Sequence, residues 1–218
     1  MTSPARPVEF PRVLGIEATG VVEEAPGGEF SKGDVVATAM GGMGRVFDGG
    51  YAEYTCVPTQ QVQKLQTKLS WAVLGACGEM LQTAYGSLFR ALRLQKGETL
   101  LVRGGTTSVG LAAAAIAKNH GVKVVSTTRR AERESLLKRY GASEVFVDNG
   151  AIAGEVKTRT GGVDKVLELI GTTTLLDSLL CARQHGIVCM IGMVGDSKCC
   201  YETDSIIRRR LKWSQAGR

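Results

Sequence analysis

The run VRGGTTSVG at 102–110 is the stretch of this 218-residue chain best suited to chemistry. An apolar segment, 99–103, leads straight into it, and an alanine-rich helical pattern, 109–120, follows at once. A helix that starts on such a turn offers unpaired N–H groups and the positive end of its dipole, which suits a pyrophosphate. Gly104 and Gly105 let the backbone turn tightly, and Gly110 lets the helix pack close to the strand. Thr106, Thr107 and Ser108 add hydroxyl donors. The spacing departs from G-x-G-x-x-G, because Thr107 stands at the middle position. A tight βα turn in another α/β fold is the competing reading.

The next apolar segment, 122–127, selects the nucleotide. A site for NADH places an Asp or Glu at the end of this strand to bind the ribose hydroxyls. Here the chain reads Ser126-Thr127-Thr128-Arg129-Arg130, with Arg133 a turn later and no acid at the strand end. Guanidinium forks match phosphate geometry, so Thr128, Arg129, Arg130 and Arg133 favour a 2′-phosphate, and hence NADPH. A solvated basic helix start is the alternative, but cations at a helix N-terminus oppose the macrodipole, which tips the balance toward a bound anion.

These loops need a scaffold, and the pattern from residue 71 onward supplies one. A helix is predicted over 71–94. Strands and helices then alternate: strands at 99–103, 122–127, 144–148, 163–170 and 187–193, and helices at 109–120, 131–140, 152–160 and 175–185. Near-continuous apolar strands separated by helices imply a parallel sheet covered on both faces, so the fold class is α/β with a doubly wound sheet. Residues 1–70 differ. Candidate strands at 13–23, 34–39 and 51–58 are separated by the turn-rich PGGEFSKG and GGMGRVFDGG, which reads as part of a small β domain. The division expected is 1–70, 71–195 and a basic tail over 196–218.

Composition agrees with a globular protein, with 44% hydrophobic and 22% charged residues. The formal charge is +6, and the tail contributes a surplus through Lys198, Arg208, Arg209, Arg210, Lys212 and Arg218. That tail is either a solvated end or a contact for an acidic partner, and the lack of an aromatic stacking surface argues against nucleic acid. Six cysteines show no C-x-x-C spacing, and Cys181 and Cys189 read as buried apolar residues. No signal core or membrane span is visible, so a reducing, cytoplasmic setting is expected. His120 and His185, each followed by glycine, read as helix terminators.

Four stretches carry a family likeness: VLGIEATGVVEEA, GDVVA with GGYAEYTCVP, EMLQTAYGSL, and TLLVRGGTTSVGLAAAAIAK, with GIVCMIGMVG beyond them. They resemble the medium-chain dehydrogenase/reductase superfamily, in its zinc-independent quinone oxidoreductase branch, which includes the zeta-crystallin-like enzymes. The resemblance implies a Rossmann domain beside a GroES-like β domain, and hydride transfer from NADPH to a quinone or an activated alkene or carbonyl. It implies that Gln82 and Thr83 lie near the nicotinamide. Gly104, Gly105, Thr107, Ser108, Val109 and Gly110 would line the pyrophosphate, and Gly192, Met193 and Val194 would back the nicotinamide ring. It also implies no metal: the zinc-dependent relatives carry G-H-E where this chain has Gly15-Ile16-Glu17, and a cysteine ligand where this chain has Glu79. Cys77 reads as a core residue. No proton donor is assigned other than solvent.

Set against that family, the chain is expected to be truncated at both ends, with the strands that wall the substrate site missing. A small-molecule substrate and a homo-oligomer fit the resemblance. The alternative is a non-catalytic nucleotide-binding module, touching nucleic acid through the basic tail.

Overall fold

A computed structural model describes residues 8–194. The basic tail over 196–218, with Cys199 and Cys200, lies outside the described residues. The chain forms two compact units that divide between Met80 and Leu81.

The first unit holds a three-stranded antiparallel sheet, β1 (Glu17–Val21), β2 (Val35–Ala39) and β3 (Val62–Lys64), in that spatial order. The expected strand over 13–23 is shorter because residues 13–15 bond elsewhere. The amides of Gly49, Gly50 and Tyr51 donate to the carbonyls of Val13, Gly15 and Leu14 at 2.8, 3.1 and 2.9 Å. That local lacing also explains a correction: 51–58 is not a strand but bends over 51–54 followed by irregular chain, and the second partner of β2 is β3.

The helix expected over 71–94 is interrupted. It comprises α1 (Trp71–Gly75), α2 (Gly78–Tyr85) and a π-helical turn, Gly86–Ala91. The break falls between Gly75 and Gly78, residues of low helical propensity, where Ala76 and Cys77 close short turns onto Val73 and Leu74.

The second unit is the parallel sheet. Its strands are β4 (Thr99–Arg103), β5 (Lys123–Thr128), β6 (Glu144–Val147), β7 (Val163–Glu168) and β8 (Ala182–Met190), in the order β6-β5-β4-β7-β8. Helices α3 (Ser108–Asn119), α4 (Glu134–Arg139), α5 (Ala153–Thr160) and α6 (Thr172–Cys181) form the crossovers. Two apolar clusters cover the sheet. One packs Ala113, Ala114 and Ala117 of α3 with Leu100 and Val102, and the other packs Val156 and Leu175 with Leu101 and Val166. Small alanines on the inner face of α3 let the helix sit close to the strands. The strand order reverses between β4 and β7, and in such sheets ligands bind in the crevice at the carboxyl ends of these strands.

His120 caps α3, as expected. His185 does not end a helix: α6 stops at Cys181, and His185 lies in an irregularity of β8 with φ +66°. No described helix is long and apolar enough to cross a membrane.

Candidate functional site

The carboxyl ends of β4, β5, β7 and β8 bring most of the expected site residues to one edge of the sheet. β4 passes into Gly104, whose φ of +83° suits glycine, and whose amide donates to the Thr127 hydroxyl at 3.1 Å. Gly105 donates to the Thr127 carbonyl at 3.0 Å, which fixes the turn against the end of β5. A Cβ on Gly110 would lie 2.8 and 2.9 Å from the carbonyl oxygens of Gly104 and Gly105. Only glycine allows the first turn of α3 to approach the loop so closely.

Thr107 explains the departure from G-x-G-x-x-G. It is the N-cap of α3: its hydroxyl donates to the Gly104 carbonyl at 3.0 Å and accepts the Gly110 amide at 3.0 Å. Leu111 donates to the Thr107 carbonyl. The amides of Ser108 and Val109, the first two of α3, are thus left without a protein acceptor among the described residues, and Ser108 is exposed. This open helix end fits an anion.

After β5, Thr128 is buried, and its hydroxyl closes a local turn with the Arg130 backbone at 3.2 Å. Arg129, Arg130 and Arg133 are exposed, and among the described residues none is paired with a carboxylate. Glu132, between Arg130 and Arg133, forms no ion pair among the described residues, and Glu134 pairs with Lys138 at 2.7 Å.

Past β8, Ile191 and Gly192 donate to the Glu168 carbonyl at 3.0 and 3.2 Å, and Val194 donates to the Ile170 carbonyl at 2.9 Å. Met193 and Val194 are exposed. A Cβ on Gly192 would fall 1.9 Å from the Leu169 carbonyl oxygen, so the two loops lie backbone to backbone. Gln82 is exposed on α2, and Thr83 is half-buried there, its carbonyl accepting the Ser87 hydroxyl at 2.7 Å.

The sequence reading missed what lies beneath this edge. Arg103, the last residue of β4, is fully buried. Its Nε and Nη2 fork onto Asp148 at 2.8 Å each, and its Nη1 meets Asp177 at 2.5 Å. Buried Glu168 ends β7 and accepts the amides of Ile170 and Gly171 at 2.8 and 3.1 Å. Burial alone would raise the Asp148 carboxyl, but Arg103, the Gly150 amide and the Thr127 hydroxyl together hold it below the usual range. Conversely, burial would lower the Arg103 guanidinium, and its two carboxylates more than offset that. The available signal was a charge closing an otherwise apolar strand in TLLVR.

In the first unit, the Glu17 carboxylate accepts the Glu79 amide at 2.7 Å, and Ile16 offers no ligand atom. Among the described residues no group of three or more His, Cys, Asp or Glu is gathered as for a metal ion.

Two family models match the chain: an alcohol dehydrogenase GroES-like domain over residues 2–67, and a zinc-binding dehydrogenase over residues 108–216. The quinone oxidoreductase of Pongo abelii is 33% identical over 191 residues, covering 85% of this chain and 56% of that protein. A quinone oxidoreductase of Pseudomonas syringae pv. tomato DC3000 superposes with a TM-score of 0.77 at 28% identity, over 86% of this chain and 58% of that one. A mycobacterial protein solved in complex with NADPH gives a TM-score of 0.75 at 31% identity, over 85% of this chain and 57% of that one. The chain spans 56–58% of the length of the curated quinone oxidoreductases that it matches.

Proposed function

The chain belongs to the medium-chain dehydrogenase/reductase superfamily, and on that premise we propose that it binds NADPH along the carboxyl edge of its parallel sheet and reduces a quinone or an activated alkene or carbonyl. The observation that carries the cofactor choice is the set of exposed guanidiniums of Arg129, Arg130 and Arg133, which pair with no carboxylate among the described residues, after a strand β5 that ends on Thr128 without an acid to bind ribose hydroxyls.

The residues present fit the dinucleotide. The open amides of Ser108 and Val109 and the dipole of α3 take the pyrophosphate, with Gly104, Gly105 and Gly110 allowing close backbone approach. The arginines take the 2′-phosphate, and Thr128 shapes the turn that presents them through its bonds to the Arg130 backbone. Gln82 and Thr83 on one side, and Gly192, Met193 and Val194 on the other, orient the nicotinamide and keep water from it. When bound, NADPH supplies the hydride, and the protein's part is to hold it, orient it and shield it.

The proposed chemistry uses no metal. What supports this is Ile16 in place of a histidine and a Glu17 carboxylate bonded to the Glu79 amide, with no group of metal-ligating side chains gathered among the described residues. Proton delivery to the reduced product falls to solvent.

The test is a titration with NADPH and with NADH, followed by nicotinamide fluorescence, and then oxidation of NADPH with a soluble quinone. Charge-assisted bonds to a 2′-phosphate predict a preference for NADPH of roughly 10- to 100-fold. Equal affinities would remove the role of the arginines. Tight binding with no oxidation would favour a nucleotide-binding module that does not turn over.

A further inference from the structure

Arg103 does more than fill the end of a strand. A buried ion pair is weak evidence of stability, because removing charges from water costs about what their attraction returns. Replacing such a pair with apolar side chains is often neutral. The reason for a guanidinium here must be sought in what it connects.

Besides a long bond to the Thr174 carbonyl at 3.4 Å, the connections run through three side chains. Through Asp148, whose Oδ2 accepts the Thr127 hydroxyl at 3.2 Å, Arg103 reaches the Gly104 amide, which donates to that same hydroxyl at 3.1 Å. Through Ser178, 3.2 Å from its Nη1, it reaches Glu168, which accepts the Ser178 hydroxyl and holds the amides of Ile170 and Gly171. Through Asp177 it reaches the start of α5, where Ile152 and Ala153 donate to the same carboxylate at 3.0 and 3.1 Å. The first two branches end on facing loops: a Cβ on Gly104 would lie 2.9 Å from the Ile170 side chain.

We propose that Arg103 is a positioning residue for the dinucleotide, fixing the glycine turn after β4 and the loop 169–171 after β7 in register with one another. The proposal rests on the NADPH reading above. It assigns the guanidinium to the half of the cofactor that crosses from pyrophosphate to nicotinamide. No side-chain bond of this network touches Arg129, Arg130 or Arg133, and it meets that arm only where the Asp148 backbone amide donates to the Thr128 carbonyl at 2.7 Å. A fixed opening between two loops is the kind of preorganisation that ligand geometry demands, and small displacements there cost large factors in binding.

The experiment compares two probes, NADPH and adenosine 2′-monophosphate, on the wild type and on Arg103→Met, Arg103→Lys, Thr127→Val and Ser178→Ala. Amide hydrogen exchange of Gly104, Ile170 and Gly171 is followed in parallel. The expected result for Arg103→Met is NADPH binding weakened by about 10- to 100-fold with adenosine 2′-monophosphate held within about twofold. Its three reporter amides exchange faster while those of β4 and β5 keep their protection. Arg103→Lys, which keeps the charge and loses the fork, recovers part of the affinity. Should Arg103→Met not fold, the single-hydroxyl variants decide: Thr127→Val frees the Gly104 amide, and Ser178→Ala unlinks Arg103 from Glu168. Unchanged NADPH affinity in the variants, or an equal loss of both probes together with the whole sheet's protection, overturns the proposal. A wild type that binds no NADPH sinks the cofactor reading instead, and the exchange rates then decide alone whether Arg103 holds both loops.

Discussion

Arg103 and Asp148 meet across an intervening strand. The guanidinium closing β4 forks onto the carboxylate that follows β6, at 2.8 Å from each oxygen, although β5 lies between the two strands in the sheet. Thr127, at the end of β5, bridges beneath them by donating to the same carboxylate.

This pair sets an acid limit. The folded Asp148 carboxyl lies below its ordinary 3.8, because Arg103 and its other donors outweigh the upward push of burial. The unfolded chain therefore takes up that proton first, and the stabilisation, complete above pH 3.8, is lost as pH falls through it toward the lower native value. Chemical denaturation across this range should show a steep acid limb in the wild type and one flattened by about one proton in Asp148→Asn. Identical limbs would remove Asp148 from the acid response.

The double variant Arg129→Ala/Arg130→Ala should lose NADPH affinity by roughly 10- to 100-fold and leave NADH affinity within about twofold. Both side chains are exposed and unpaired with acids among the described residues, so thermal stability should stay near that of the wild type. Parallel loss of both cofactors would point to the fold and away from the 2′-phosphate.

Gly110→Ala sets two effects against each other. Alanine in a helix gains about 1 kcal/mol over glycine. The new Cβ, however, would press on two backbone carbonyls at 2.8 and 2.9 Å, neither of which can swing aside as a side chain does. Overpacking of this kind costs roughly 1–3 kcal/mol, so a net destabilisation is expected, with weaker NADPH binding. A stabilised variant would mean that the turn is free to relax.

Cys56 is exposed, whereas Cys181 is buried, and burial with the nearby Asp177 carboxylate pushes its thiol up to about 12 from 9.0. A chromogenic disulfide reagent should label Cys56 in the native protein and reach Cys181 only after unfolding. Because the unfolded thiol ionises first, stability should decline as pH rises from 9.0 toward about 12, and Cys181→Ala should soften that decline. Native labelling of Cys181 would contradict its burial.

The parts of this fold that read cleanly from the sequence are those with local causes. The apolar strand Thr99–Arg103 lies where its pattern put it, and the α5 pattern over 152–160 errs by one residue at its start. The glycine turn is local too, since Thr107 closes it onto Gly104 and Gly110. Failures came where the cause is distant. Residues 51–58 alternate like a strand, yet the segment begins by bonding to the loop at 13–15, and β2 takes its second partner from 62–64. Arg103 escaped notice because its partners lie 45 and 74 residues further along, and a lone charge at a strand end looks like a boundary.

The run after β4 also governs how this chain can drift. Gly104 holds a left-handed backbone, Thr107 commits its one hydroxyl to two bonds, and Gly110 is boxed by carbonyls, while Ser108 faces open solvent. A saturation library across the turn should therefore read as a comb. Positions 104 and 110 would admit almost no other letter, 107 little beyond serine, 105 few, and 108 many. The vocabulary of the motif is thereby concentrated at every third residue, and a relative that kept only those teeth would keep the same loop.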